Sequence, residues 1–171
     1  MKRPLLFFTA FYGGLLVLLA SGCYSFQGIS IDYATTKTFS MPTFTIAATQ
    51  ADPTTGLKLT EKLRQKILQT TRLTYKTDDP DVDFVGNIVG FSITSIAPGG
   101  NNVATLSRLE MTVSVSYTDH KNPKNSWAQN FNRFADFDPN KSNFEIVKNE
   151  LIRQINDLLV EDIFNKAFGN W

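Results

Sequence analysis

Residues 105–119, "TLSRLEMTVSVSYTD", alternate almost without fault. Leu109, Met111, Val113, Val115 and Tyr117 share one parity, and Glu110, Thr112, Ser114, Ser116 and Thr118 the other. Successive side chains leave a strand on opposite sides, so this segment is a strand with one apolar face and one wet face. A sheet built on it needs cover on one side only. Helices must supply that cover, and the uncovered side must stay polar.

Two stretches have the period to do so. In "ADPTTGLKLTEKLRQKILQTT", residues 51–71, Leu59, Leu63 and Ile67 recur at four with Leu68 beside them, while Lys58, Glu61, Lys62, Arg64 and Lys66 occupy the other faces. This is an amphipathic helix, with Thr54 or Thr55 as its cap and Pro53 at its entry. Near the C-terminus Phe144, Val147, Leu151, Ile155, Leu158 or Leu159, and Ile163 recur at three and four. Asp138, Asn140 or Ser142 is placed to cap this second helix, with Pro139 near its start. At 1.5 Å per residue, some twenty-five residues make it nearly 40 Å long, enough to cross a sheet.

The remaining segments read as strands and turns. "TFSMPTFTIAA", residues 38–48, is an edge strand or one entered at Pro42, because proline removes a ladder donor. "RLTYKT" is a short strand, and "DDPDVD" is a turn by composition. "DFVGNIVGFSITSIA", residues 83–97, places Val85, Val89, Phe91 and Ile93 on one face, with Gly86 and Gly90 on the other. "PGGNNVA" is a tip that projects from the sheet end, "HKNPKN" a turn, and "SWAQNFNRFADF" a further strand. The last three strands form an antiparallel meander. The fold class expected is α+β: two helices packed on one face of a four-stranded, mostly antiparallel sheet.

The N-terminal segment has a different character. Lys2 and Arg3 precede an apolar run from Leu5 to Ala20 that Thr9, Gly13 and Gly14 interrupt. A positive start, a short apolar core and a small-residue exit describe a signal peptide over residues 1–22, since a span needs about twenty apolar residues. One domain then covers residues 23–171, of which 23–37 form a tether or short strand. Cys23 is the only cysteine in the chain, so no intramolecular disulfide is available to it. "ASGC", Ala20 to Cys23, resembles the lipobox of bacterial lipoproteins, with Ala20 standing where leucine is most frequent. That resemblance implies cleavage before Cys23 and lipid on its sulfur and amine. Two or more acyl chains anchor a protein stably where one does not.

Composition and motifs argue against several classes of function. The 17 basic and 16 acidic residues are balanced, with no basic run to mark a nucleic-acid surface. The single histidine, His120, lies in a polar turn without a second His or Cys to complete a catalytic or metal site. Asp78, Asp79, Asp81 and Asp83 approach a calcium-loop spacing but lack its central glycine and closing glutamate. Asp136 and Asp138 are explained by capping the helix that follows. No nucleophile sits in a glycine elbow. The chain is therefore not expected to be an enzyme or to hold a cofactor or metal. Arg108 and Arg133 lie within strands beside apolar positions; they pair with a neighbour such as Glu110, snorkel outward, or form a basic spot for lipid phosphate. They are the candidate ligand-binding residues.

Five segments in order carry a wider resemblance: "GCYSFQGISI", "LTEKLRQKILQTTRLTY", "LSRLEMTVSVSYTD", "SWAQNFNRFADFD" and "LIRQINDLLVEDIFNKAFGNW". Together they resemble the lipopolysaccharide-assembly lipoproteins of the LptE type. The resemblance implies an outer-membrane lipoprotein on the periplasmic side, a palmitate-bearing anchor at Cys23, and two helices on a four-stranded sheet. It further implies a plug within an LptD-type β-barrel translocon that helps place lipopolysaccharide in the outer leaflet. Tyr24 follows the cysteine where an aspartate would retain the protein at the inner membrane. The rival expectation is a free-standing, periplasm-facing lipoprotein that holds a small apolar or lipid ligand between helices and sheet.

Overall fold

The computed structural model describes residues 30–96 and 106–169. Its elements in chain order are β1 (Thr38–Ser40), β2 (Thr45–Ile46), α1 (Thr55–Thr70), β3 (Thr74–Tyr75), β4 (Val82–Ile96), β5 (Leu106–Asp119), a 3-10 turn (Pro123–Asn125), β6 (Trp127–Phe137) and α2 (Phe144–Phe168). The signal peptide, Cys23, the start of the tether and the "PGGNNVA" tip lie outside the described residues.

The sheet has six strands in the order β3-β1-β4-β5-β6, with β2 also paired to β4. This corrects the expected four strands of mostly antiparallel sheet. β1 pairs β3 and β4 in parallel, and β2 pairs β4 in parallel. Only β4–β5 and β5–β6 are antiparallel, as the meander requires. The physical reason is α1: a chain that leaves β2 and crosses back through a helix re-enters the sheet, at β3 and then at β4, running the same way as before. β1 is an interior strand, not an edge. Pro42 is accommodated because the ladder breaks between β1 and β2, so its missing N–H interrupts nothing.

β5 has the alternation its sequence dictates: Leu109, Met111, Val113, Val115 and Tyr117 are all buried. β4 does not follow its expected parity. Val82, Phe84, Ile88 and Phe91 are buried, whereas Val85 is 55% exposed, Val89 42% and Ile93 43%. The register slips by one between Ile88 and Gly90, so Val89 is an inserted residue and the inward parity changes from even to odd across it. Gly86 faces inward beneath the Phe44 ring. Ile93 regains the inward parity, but it lies on the outer reach of the strand and stays half-open.

Both helices cover the same face and join one core. Leu59, Leu63 and Ile67 of α1 are buried as expected, but Leu68 is exposed, and the inner stripe passes instead through Gly56 and Thr60. In α2, Leu159 is buried and Leu158 is exposed; Ile152, Asn156, Val160, Phe164 and Phe168 widen the stripe. Thr54 occupies the N-cap of α1, yet its hydroxyl donates to Asp52 and caps no helical N–H. Asn143 caps α2 by accepting from the Glu145 N–H at 2.8 Å, which replaces the expected Asp138, Asn140 or Ser142. Asp138 closes the preceding turn by accepting from the Asn140 N–H. The helices are laced along their contact: Lys58 donates to Asn149 at 3.3 Å, Lys66 pairs with Glu161 at 2.6 Å, and Lys62 pairs with Asp157. At the far end of α2, Phe168 packs on Phe84 and Tyr117, with ring centroids 5.9 and 6.2 Å away.

One carboxylate ties the parallel half of the sheet to β4. Asp81 accepts from the Lys37 N–H at 2.9 Å and from the Thr38 N–H and hydroxyl at 3.0 Å each, and pairs with Lys121 at 3.1 Å. The Lys37 N–H, before the other donors, holds the Asp81 carboxyl well below the usual carboxylate range. A carboxyl depressed in the fold contributes stability that is present above its unfolded value and lost as pH falls toward its folded one. The melting temperature is therefore expected to drop between about pH 5 and pH 2. Asp81→Asn should lower stability at neutral pH and flatten that acid limb; an equally steep limb in the variant would remove Asp81 as its source.

Candidate functional site

Among the described residues no group of three or more His, Cys, Asp or Glu could hold a metal ion. His120 is an exposed turn residue, and its Nε2 lies 2.5 Å from Asp83, whose other oxygen accepts from the Ser40 hydroxyl. That arrangement latches the end of β5 to β4 and β1. Asp78 and Asp79 are exposed, while Asp81 serves the sheet as described, so the four aspartates do not converge. No described helix is long and apolar enough to cross a membrane.

What the fold does present is the open face of β4, β5 and β6. Register places Arg108, Glu110, Thr112, Ser114, Ser116 and Thr118 of β5 between Asn87, Ser92 and Thr94 of β4 and Asn130, Asn132 and Asp136 of β6. The polar groups partly satisfy one another. Asn132 donates from its amide nitrogen to Glu110 at 2.7 Å and to the Thr112 hydroxyl at 2.8 Å. Arg108 donates two bonds to Asp136, at 2.7 and 2.9 Å, and its guanidinium stands 3.5 Å over the Phe134 ring. Phe134, half-exposed, is thus roofed by a cation (Val85 and Val89 are large apolar residues also left open). The result is a broad hydroxyl- and amide-rich surface whose charges are internally balanced.

Arg108 and Arg133 do not form one basic spot. Arg108 is on the open face, whereas Arg133 stands opposite Met111 on the helix-covered face. Arg133 reaches α2 and donates two bonds to Asp162, at 2.5 and 2.6 Å. The partner of Arg108 is Asp136, not Glu110. Hydrogen bonds to these carboxylates raise both guanidinium pKa values further. A phosphate would have to displace a bidentate carboxylate at either position.

Two further features of the fold were not placed by the sequence. One is a cavity of about 770 Å³ at the pole where the described chain begins, bordered by Asp32, Thr35, Asp119, Lys121, Lys124 and Asn125 over Tyr117, Trp127 and Phe168. It forms because the Ser30 N–H donates to the Phe168 carbonyl at 2.8 Å, drawing the N-terminal segment beside the end of α2. No periodicity signals such a contact. The other is the outer edge of β6, which was legible in part: "WAQNFNRFADF" contains no proline and no lysine, the residues that usually protect an edge.

The fold and this surface define a two-layer α+β module with one helix-covered face and one polar face left open. A minor lipoprotein from Acinetobacter baumannii is similar in fold, with 15% identity, a TM-score of 0.50, and coverage of 76% of this chain and 91% of that one. So is a homolog of the neuraminyllactose-binding hemagglutinin from Helicobacter pylori, with 10% identity, a TM-score of 0.51, and coverage of 84% and 88%. At these identities the likeness is one of fold alone. No curated protein matches the chain by sequence. The family model LptE, lipopolysaccharide-assembly, matches residues 36–167, and the chain belongs to that family.

Proposed function

We propose that the chain is an outer-membrane lipoprotein, anchored through lipid on Cys23 at the periplasmic side. There it plugs an LptD-type β-barrel and assists the assembly of lipopolysaccharide. The observation that carries this reading is the open face of β4–β5–β6. Large barrels have polar interiors, and a Ser-, Thr- and Asn-rich sheet with internally paired charges meets such a wall without stranding an ion or exposing a large apolar patch. Membership of the lipopolysaccharide-assembly family supports the same reading. No catalytic step is assigned to it.

The rival reading, a carrier of an apolar ligand between helices and sheet, meets a filled layer. Phe39, Phe84, Leu59, Leu63, Met111 and Ile155 between helices and sheet are all fully buried. The large cavity is bordered mainly by polar and charged groups. Pull-down from native membranes through a C-terminal tag is the test. A large β-barrel protein should be recovered in about equal amount; recovery of none would remove the plug.

Arg108 and Arg133 test the lipid-phosphate role separately. Because each is already held by a carboxylate, the double substitution Arg108→Gln and Arg133→Gln is expected to leave lipopolysaccharide affinity within about twofold, with little change in melting temperature, as is usual for exposed ion pairs. A loss of tenfold or more in a binding titration would instead assign phosphate contact to them.

A further inference from the structure

We infer that the free edge of β6 accepts one extended segment of the barrel partner as an added strand. The inference rests on the plug reading and names how that contact is made.

Register and two sets of hydrogen bonds establish which groups the edge offers. The His120 N–H donates to the carbonyl of Asp81, directly opposite it, so 81–120 belongs to the closely bonded class of antiparallel pairs. Counting along β5, its even residues bond to β4 and its odd residues to β6. The Ile88 carbonyl, which accepts from Ala47 and Ala48 on the side of β2, agrees with that parity. On β6 the residues opposite odd β5 positions are themselves odd, from Trp127 to Phe137. The N–H and C=O groups of Ala128, Asn130, Asn132, Phe134 and Asp136 therefore point away from β5. No backbone bond from them to another described segment exists.

This edge lacks the usual guards. It is 11 residues long with neither proline nor lysine, and both its charges, Arg133 and Asp136, are held in ion pairs. Beside it runs a groove of about 480 Å³ between β6 and α2, bordered by Gln129, Asn130, Asn132, Arg133, Asp162 and Lys166. Lys166 has no carboxylate partner among the described residues. The lining selects an uncharged-polar strand with one acidic side chain toward Lys166. Backbone bonds supply affinity in strand addition, and such side-chain contacts supply specificity.

A second copy of this chain fits less well. Arg133–Asp162 seats α2 above β6, so two copies joined edge to edge would bring two such helices over strands about 4.8 Å apart, where packed helices need 8–10 Å. A single extended segment has no helix to accommodate. A β-rich partner supplies such segments.

The experiment uses the full lipidated chain, alone and in complex with the barrel recovered by pull-down. Amide hydrogen exchange should slow at least tenfold in the complex at Ala128, Asn130, Asn132, Phe134 and Asp136. Asn130→Pro removes one outward N–H and leaves the β5 ladder intact, which edge strands tolerate. It should cut barrel recovery at least tenfold with the melting temperature unchanged. If the wild-type chain recovers the barrel but those amides exchange equally fast with and without it, the added strand is overturned and the plug stands. If no barrel is recovered, both fall. A dimer of the free chain with the same amides protected would assign the edge to a second copy and overturn the inference.

Discussion

Gly56→Ala is expected to destabilise the domain by about 2 kcal/mol, although alanine is the better helix former. In an open helix the substitution would stabilise by roughly 0.8–1 kcal/mol. Here a methyl group on Gly56 overlaps the Phe44 carbonyl oxygen, a backbone atom with little freedom to retreat. Phe44 is fixed from both sides. Its N–H donates to the Thr60 hydroxyl at 2.8 Å, and that hydroxyl donates to the Gly56 carbonyl at 2.7 Å. Its ring lies flat where a side chain on Gly86 would stand. Overpacking at such a point costs about 1–3 kcal/mol or more, which outweighs the helix gain. The melting temperature should fall by about 4–8 °C for a domain of this size. Gly86→Val should do at least as much harm, because Phe44 cannot leave without opening the junction of β2, β4 and α1. A stabilised Gly56→Ala would mean that α1 does not seat on Phe44.

Cys23→Ser is the second large effect, and it acts on location, not on folding. We propose that acyl chains on this residue hold the protein at the bilayer. A single chain binds only marginally, at about 0.8 kcal/mol per buried methylene, so removal of the modification site abolishes a stable anchor. The variant should move almost wholly from the membrane to the soluble fraction, with an unchanged melting temperature for the folded region. Its mass should lack the lipid increment seen on the wild-type chain. A variant that stays with membranes after a high-salt wash would show that contacts of the domain, and not Cys23, carry the attachment.

The sequence was most legible where one principle acted alone. β5 is half-buried from end to end, so its alternation is complete and Leu109 to Tyr117 could be assigned without error. β4 misled because both parities hold valines and one inserted residue changes the inward set midway; alternation is informative only between bulges. The helices were found but their faces were drawn too narrowly: Leu68 and Leu158 sit beside buried positions, and hydrophobicity alone cannot distinguish a neighbour from the stripe. Thr60 was passed over for the opposite reason. It is polar, yet fully buried, because its hydroxyl bonds both Gly56 and Phe44. The parallel half of the sheet was implicit in the strand–helix–strand order; the break at Pro42 concealed that two strands, not one, precede α1. Of the site, the polar face was legible in β5 itself. The pairing of Arg108 with Asp136 depends on register across 28 residues and was not.

The bond from Ser30 to the end of α2 has a geometric consequence. Six residues lie between Cys23 and Ser30, so the seven-step leash to the lipid proposed on that cysteine is at most about 25 Å when fully drawn out. If the proposed anchor holds, the pole that carries Phe168, Asp119 and the start of β4 rides close to the bilayer. β4 runs 15 residues from there, about 50 Å at the usual rise, and carries Ile96 to the opposite extremity. On the anchoring proposed above, the molecule is moored by one end like a mast, with Ile96 and Leu106 at the extremity farthest from the bilayer.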